Sequence, residues 1–435
     1  MSQDSEQHDK PEQKTLHIPQ HDPEEVRTWW VDGKDTKSTT ARMKAAKRRR
    51  LWVAYLVVLF TTLGILSVLV TASIIFYFWM PDNVDWFTPK GVLVAQCEPL
   101  HQGTIRKMVF SPDGQYLLTG SEDKTAILWD AKTGKMVRIL KGHEEAVTAV
   151  AMAQVGEKPA EGEDLSRFVV MTGSKDMYAI LWDMGKETPE PMYRLGDQVS
   201  LEDLDAGSTS DPMEGKTLAD IVAPIPTTGH TKTITCCALS PGGQYALSGG
   251  MDDKAVLWNV NTGSRYSTLD KHSDAVYAVA FNPNGRNYVT GTEDGKIRVW
   301  NMKDDALLFT LPGHDGTITS LSFSGDGRTL LSGSRDNTVI LWDMASSNQL
   351  QKLFSEVEVT DAYLSANEQY ALSNLFDKVA VLWKMLDGTR VCQFVSDTPI
   401  VAMALSPLTD KDGLPLYIAL ANTENQIIIY NVHTK

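Results

Sequence analysis

The sequence predicts an all-β chain of seven repeated units standing behind a single membrane-spanning helix. Three observations carry this. A histidine lies 28 residues before a tryptophan in four places: His101 and Trp129, His230 and Trp258, His272 and Trp300, His314 and Trp342. A small hydroxyl lies ten residues, and an aspartate six residues, before each of those tryptophans. Residues 51–80, LWVAYLVVLFTTLGILSVLVTASIIFYFWM, form a run of thirty without a charge, longer than the roughly 20 that cross a bilayer.

The clearest unit is residues 313–343, GHDGTITSLSFSGDGRTLLSGSRDNTVILWD. It reads as three short β patterns, 317–323, 329–332 and 338–342, separated by polar turns at Ser324-Gly325-Asp326-Gly327 and Arg335-Asp336-Asn337. One such unit is a small twisted sheet that cannot bury both its faces alone, so its copies decide the fold. A fifth copy, His143 to Trp182, is stretched by an insertion, and a sixth keeps only its end, 373–383, SNLFDKVAVLW. The seventh has Tyr430-Asn431 where others read Trp-Asp or Trp-Asn.

From about residue 91 to 435 the chain resembles the WD40 repeat family. The resemblance rests on LWD at 128–130, 181–183 and 341–343, and on Gly-His at 142–143, 229–230 and 313–314. It implies a seven-bladed β-propeller, a closed ring that leaves only short, protected sheet edges. A buried indole N–H, hydroxyl, imidazole and carboxylate can satisfy one another and rigidify a blade. The family's structural tetrad fits these columns: His101, Thr119, Asp123 and Trp129; His143, Thr172, Asp176 and Trp182; His230, Ser248, Asp252 and Trp258; His272, Thr290, Asp294 and Trp300; His314, Ser332, Asp336 and Trp342. Spacing leaves open whether Thr119 or Ser121 supplies the hydroxyl of the first. Residues 91–95, GVLVA, have no repeat of their own and are expected to provide the outer strand of the seventh blade, closing the ring.

The charge is uneven: residues 1–36 carry −5, residues 37–50 carry +7, and the remainder of the −14 total, −16, falls after the apolar run. That acidity argues against a nucleic-acid surface. Residues 1–37 have few apolar side chains and are expected to be a disordered cytoplasmic tail. Within it, Trp29 and Trp30 suit either a lipid headgroup region or a partner's pocket. Residues 38–50, STTARMKAAKRRR, read as a basic juxtamembrane helix. Residues 51–80 then read as an uncleaved transmembrane helix, since a signal peptide would have a shorter core nearer the N-terminus. The basic cluster 47–50 precedes the helix, and the flank after it is acidic, so the N-terminus is expected in the cytoplasm. A linker at 81–90 would leave the propeller, 91–435, on the other side. The lack of Asn-x-Ser/Thr sequons leans toward a bacterial periplasm.

Departures from the repeat mark individuality. Residues 154–166 and 406–415 enlarge hairpins in blades two and seven. Residues 196–228 form an acidic loop with an apolar stretch, including Leu218, Ile221 and Val222, that is either a solvated excursion or a clamp on a neighbouring subunit. No zinc spacing, phosphate loop or nucleophile in a distinctive context occurs. No cofactor, metal, nucleic acid or small-molecule substrate is expected. The expected function is a non-enzymatic, single-pass membrane scaffold whose propeller binds protein subunits, with a single-pass signal receptor as the alternative. An enzyme using the central channel would need polar residues gathered from several blades.

Overall fold

The computed structural model describes residues 91–98, 101–155, 165–185, 189–196 and 229–432. The expected tail, basic helix, apolar span and linker at 1–90 lie outside these residues, as does most of the 196–228 loop. Among the described residues no helix is long and apolar enough to cross a membrane.

The described chain is an all-β, seven-bladed propeller. It forms seven four-stranded antiparallel sheets, whose inner strands pack each against the next all the way round. Blade one is typical, running Ile105–Phe110, Tyr116–Ser121, Thr125–Asp130 and Met136–Lys141 from the channel outward. Its second and third strands are almost wholly buried and its outer strand is largely exposed. That gradient follows from sandwiching each blade between two others.

Ring closure comes from chain connectivity. The last blade takes three strands from the C-terminal end, Ile400–Leu405, Tyr417–Asn422 and Ile427–Val432, and its outer strand from Gly91–Gln96. Gly91 pairs with Val432, Leu93 with Tyr430 and Gln96 with Ile428. Residues before the first repeat thus complete the sheet that the last repeat leaves one strand short.

Adjacent blades meet through a repeated steric device. At five of the seven seams a β-branched residue at or just before the head of an inner strand lies against a glycine on the second strand of the preceding blade. A Cβ at Gly120 would stand 2.8 Å from Val147, at Gly173 2.6 Å from Ile234, and at Gly249 2.7 Å from Val276. At Gly291 it would stand 2.4 Å from Ile318, and at Gly333 2.8 Å from Val359. Asn374 and Ala421 occupy the same place in blades six and seven, one residue after Ser373 and Leu420, so the two closing seams lack the glycine. Hydroxyls reinforce three of the others: Thr148 and Thr235 donate to the carbonyls of Ile234 and Val276 on the next inner strand, and Thr319 to that of Val359, just before the inner strand of blade six.

On the opposite side of the ring, turns join neighbour to neighbour. Arg167 pairs with Asp113 in a buried ion pair between blades one and two. Asn282 donates to the Gly327 carbonyl at 3.0 Å, and Asn367 to that of Gly413 at 2.8 Å. Gly327 has φ +70, and a Cβ there would stand 1.9 Å from the Asn282 side chain, so no other residue fits. The four cysteines are free, leaving packing, hydrogen bonds and ion pairs to hold the ring.

If the glycine seams set the blade spacing, Gly249→Ala must push Val276 and Cys236 apart. A loss of about 1–3 kcal/mol is expected, measured by thermal unfolding. An unchanged midpoint would show that the seam has slack.

Candidate protein-binding mouth and its tetrad frame

The candidate tetrad residues are brought together in four blades. His101 Nδ1 meets Asp123 at 2.7 Å and its Nε2 meets Thr119 Oγ1 at 2.8 Å, while Trp129 Nε1 donates to the same hydroxyl at 2.9 Å. The equivalent distances are 2.8, 2.8 and 2.9 Å for His143, Asp176, Thr172 and Trp182. They are 2.9, 2.8 and 2.9 Å for His230, Asp252, Ser248 and Trp258, and 2.9, 2.7 and 2.8 Å for His314, Asp336, Ser332 and Trp342. With a neutral imidazole, Nδ1–H donates to the carboxylate, Nε2 accepts from the hydroxyl, and the hydroxyl accepts from the indole, so every group is satisfied. The hydroxyl that spacing left open in blade one is Thr119. Ser121 instead donates to the Gly103 carbonyl and accepts from the Asp123 amide.

Burial pushes the carboxyls of Asp123, Asp176 and Asp252 up, but the histidine hydrogen bond outweighs it, with help from the Thr125 hydroxyl at Asp123 and from backbone amides at all three. All three sit below the ordinary carboxylate value. The tetrads act through this electrostatics on the fold: each carboxylate also takes a backbone N–H from the residue after the histidine, at 3.0 Å for Gln102 and Glu144 and 2.9 Å for Thr231. Each therefore pins the loop between blades to a turn on its own sheet.

Blade four departs from the expected tetrad. His272 Nε2 meets Thr290 at 2.9 Å and Trp300 donates to Thr290 at 2.9 Å, but Asp294 is turned away to Arg298, at 2.9 Å. The buried Arg298 guanidinium also donates to Thr292 at 2.7 Å. The physical reason is the arginine's charge, which outbids a neutral imidazole for the carboxylate. His272 Nδ1 is left buried without a hydrogen bond. Burial first and then Arg298 push the imidazole down to about 4.

In blade six, where the histidine is absent, Trp383 still donates to Ser373 at 2.9 Å. Asn374 takes over the loop, accepting from the Thr360 amide at 3.0 Å and donating to the Glu358 carbonyl at 2.7 Å. The candidate partner residues Trp29, Trp30, Leu218, Ile221 and Val222 lie outside the described residues. Among the described residues no group of three or more His, Cys, Asp or Glu side chains is placed to hold a metal ion.

The frame opens on a mouth where the inner strands begin, a cavity of ≈ 450 Å³. Its wall has a neutral row of threonines, among them Thr148, Thr235 and Thr319, broken by Tyr277. Four cations, Arg106, Lys107, Lys175 and Arg335, face two carboxylates, Glu358 and Asp361. Glu122 adds an acid at the rim, 3.0 Å from Arg106 Nε and 4.0 Å from Lys175. Arg335 lies 5.7 Å over the Tyr277 ring. Arg335 also lies 3.8 Å from Glu358, so the mouth carries four cations against three carboxylates, a positive excess of one in a chain of net charge −14, and its half-exposed guanidinium groups keep N–H donors that can bind a further carboxylate. A narrower channel of ≈ 250 Å³ continues behind it.

Comparison with known proteins places five of the units in one family. The model described as "WD domain, G-beta repeat" matches residues 94–130, 134–183, 223–259, 263–301 and 305–343. Similar curated proteins include WD repeat-containing protein pop1 of Schizosaccharomyces pombe, 23% identical over 203 residues, covering 44% of this chain and 24% of that protein. Nuclear distribution protein PAC1 of Arthroderma otae is 26% identical over 186 residues, covering 39% and 38%. WD repeat-containing protein 86 of Homo sapiens is 54% identical over 48 residues, covering 11% and 13%. The chain therefore spans well under half the length of these relatives.

The orphaned imidazole of blade four gives a pH dependence with a definite sign. His272 stays neutral in the fold down to about 4, whereas an unfolded histidine protonates near 6.5. Stability from the neutral ring is fully present above about 6.5 and is lost as pH falls toward 4. His272→Gln is expected to give a shallower fall in melting temperature across that window than the parent chain; parallel profiles would rule the ring out as a contributor.

Proposed function

The chain carries WD40 repeats folded as a seven-bladed β-propeller, and we propose that it is a non-enzymatic scaffold that binds protein subunits through the cationic mouth. The observation that carries this reading is the mouth itself: a wide, rigid-walled cavity with Arg106, Lys175 and Arg335 about half exposed at 47, 47 and 51%. A protein segment bearing carboxylates and short polar side chains complements it in charge and in hydrogen-bonding type. Arg106 stands on an inner strand, and Lys175 and Arg335 each directly follow a second strand, so the backbones that carry the cations are fixed by the sheets.

In this reading the scaffold is tethered by residues 51–80 and faces away from the cytoplasm. The uncharged run supports the tether, and the basic collar at 47–50 supports the sidedness. Its partners are then subunits of a membrane complex, with the periplasmic face of a bacterial inner membrane as the setting.

Two experiments test the two halves separately. Affinity purification of the full-length protein in mild detergent is expected to recover a stoichiometric protein partner. Arg106→Glu, Lys175→Glu and Arg335→Glu combined should reduce its recovery at least about tenfold, as expected for about 1.4 kcal/mol or more of lost binding. Undiminished recovery places binding elsewhere on the ring. Protease added to spheroplasts should digest the propeller; its survival until permeabilisation would reverse the sidedness without touching the scaffold reading.

A further inference from the structure

The third position of each inner strand is small in five blades: Ala149, Cys236, Ala278, Ser320 and Ala402. Blade one has Lys107 there, and blade six has Asp361, immediately before its short inner strand Ala362–Leu364. These two exceptions form an ion pair with each other. The pair bridges blade one to blade six, and so spans the inner strand of blade seven that lies between them in the ring. Its side chains are 25% and 2% exposed. The Met403 backbone amide, on blade seven, and the Tyr363 hydroxyl also stabilise the Asp361 carboxylate, although burial still holds it above the ordinary value.

The arc it crosses is the one the repeated devices leave weakest. Blade six has no tetrad histidine, and blade seven has Leu420 and Tyr430 in place of the hydroxyl and the tryptophan. Asn374 and Ala421 replace the seam glycines. The outer strand of blade seven is supplied from the far end of the sequence. We propose that the Lys107–Asp361 pair is a latch that holds this closing arc shut across blade seven, taking the place of the missing tetrads and glycine seams. A buried ion pair adds little net stability over an apolar isostere, but removing one partner strands a buried charge. That makes it suited to specifying which blades meet. Lys107 borders both the mouth and the channel behind it, so the latch also floors the mouth.

Hydrogen exchange on the full-length protein tests this. In Lys107→Met, amides of Ile400–Leu405 and Gly91–Gln96 are expected to exchange about a hundredfold faster, equivalent to about 3 kcal/mol at about 1.4 kcal/mol per tenfold. Amides of Val276–Phe281 and Ile318–Phe323, on the far side of the ring, should keep their protection. The reversed pair, Lys107→Asp with Asp361→Lys, should recover part of the loss. Uniform acceleration, or none at the closing arc, overturns the proposal. Should Lys107→Met fail to fold, Asp361→Asn, which preserves side-chain shape, is read by the same pattern and the same overturning results.

Discussion

Everything in this molecule rests on the pairing of Gly91–Gln96 with Ile427–Val432. A sheet of three strands at the end of a repeat array would expose its third strand as an unpaired edge and leave blade seven without an outer cover. By filling that place from the N-terminal side, the chain converts an open array into a ring in which each sheet face has a neighbour. The Cys97 amide extends the pairing to the Ile427 carbonyl at 3.1 Å, and the buried Cys97 joins the apolar cluster between blades seven and one, with Val94 packed against it.

Closure has a functional consequence. A mouth lined by inner strands has fixed dimensions only if the ring circumference is fixed, and the circumference is set by the seams. The glycine seats bring backbones to contact distance at five seams, and the tetrads tie four of the inter-blade loops to their own sheets. Cations at the mouth are therefore displayed on walls that cannot move independently. A binding surface of this kind derives its selectivity from placement more than from mobility.

Much of this was legible in the sequence, because the physics repeats and repetition is visible. The tryptophan, hydroxyl and aspartate columns were there to be counted, and GVLVA was conspicuous for having no copy. What escaped were the single departures within columns. Arg298 stands two residues before its tryptophan, where the other blades have Ile127, Ile180, Val256, Ile340, Val381 and Ile428. That one charge diverts Asp294 from His272 and breaks the blade four tetrad. Lys107 and Asp361 likewise stand out only when the third inner-strand position is compared across blades. Their meeting across a third blade depends on ring geometry, which no local pattern encodes. The mouth was illegible for the same reason: Arg106, Lys175 and Arg335 are far apart in the chain and converge only once the sheets are arranged radially.

The central claim is that the cationic mouth is where protein partners dock. A photo-crosslinking amino acid placed at Arg335, at the mouth, and at Leu350, 56% exposed on the outer strand of blade five, compares the two surfaces in living cells. The account predicts a discrete protein adduct from position 335 and little from position 350. Adducts from position 350 with none from position 335 would contradict it.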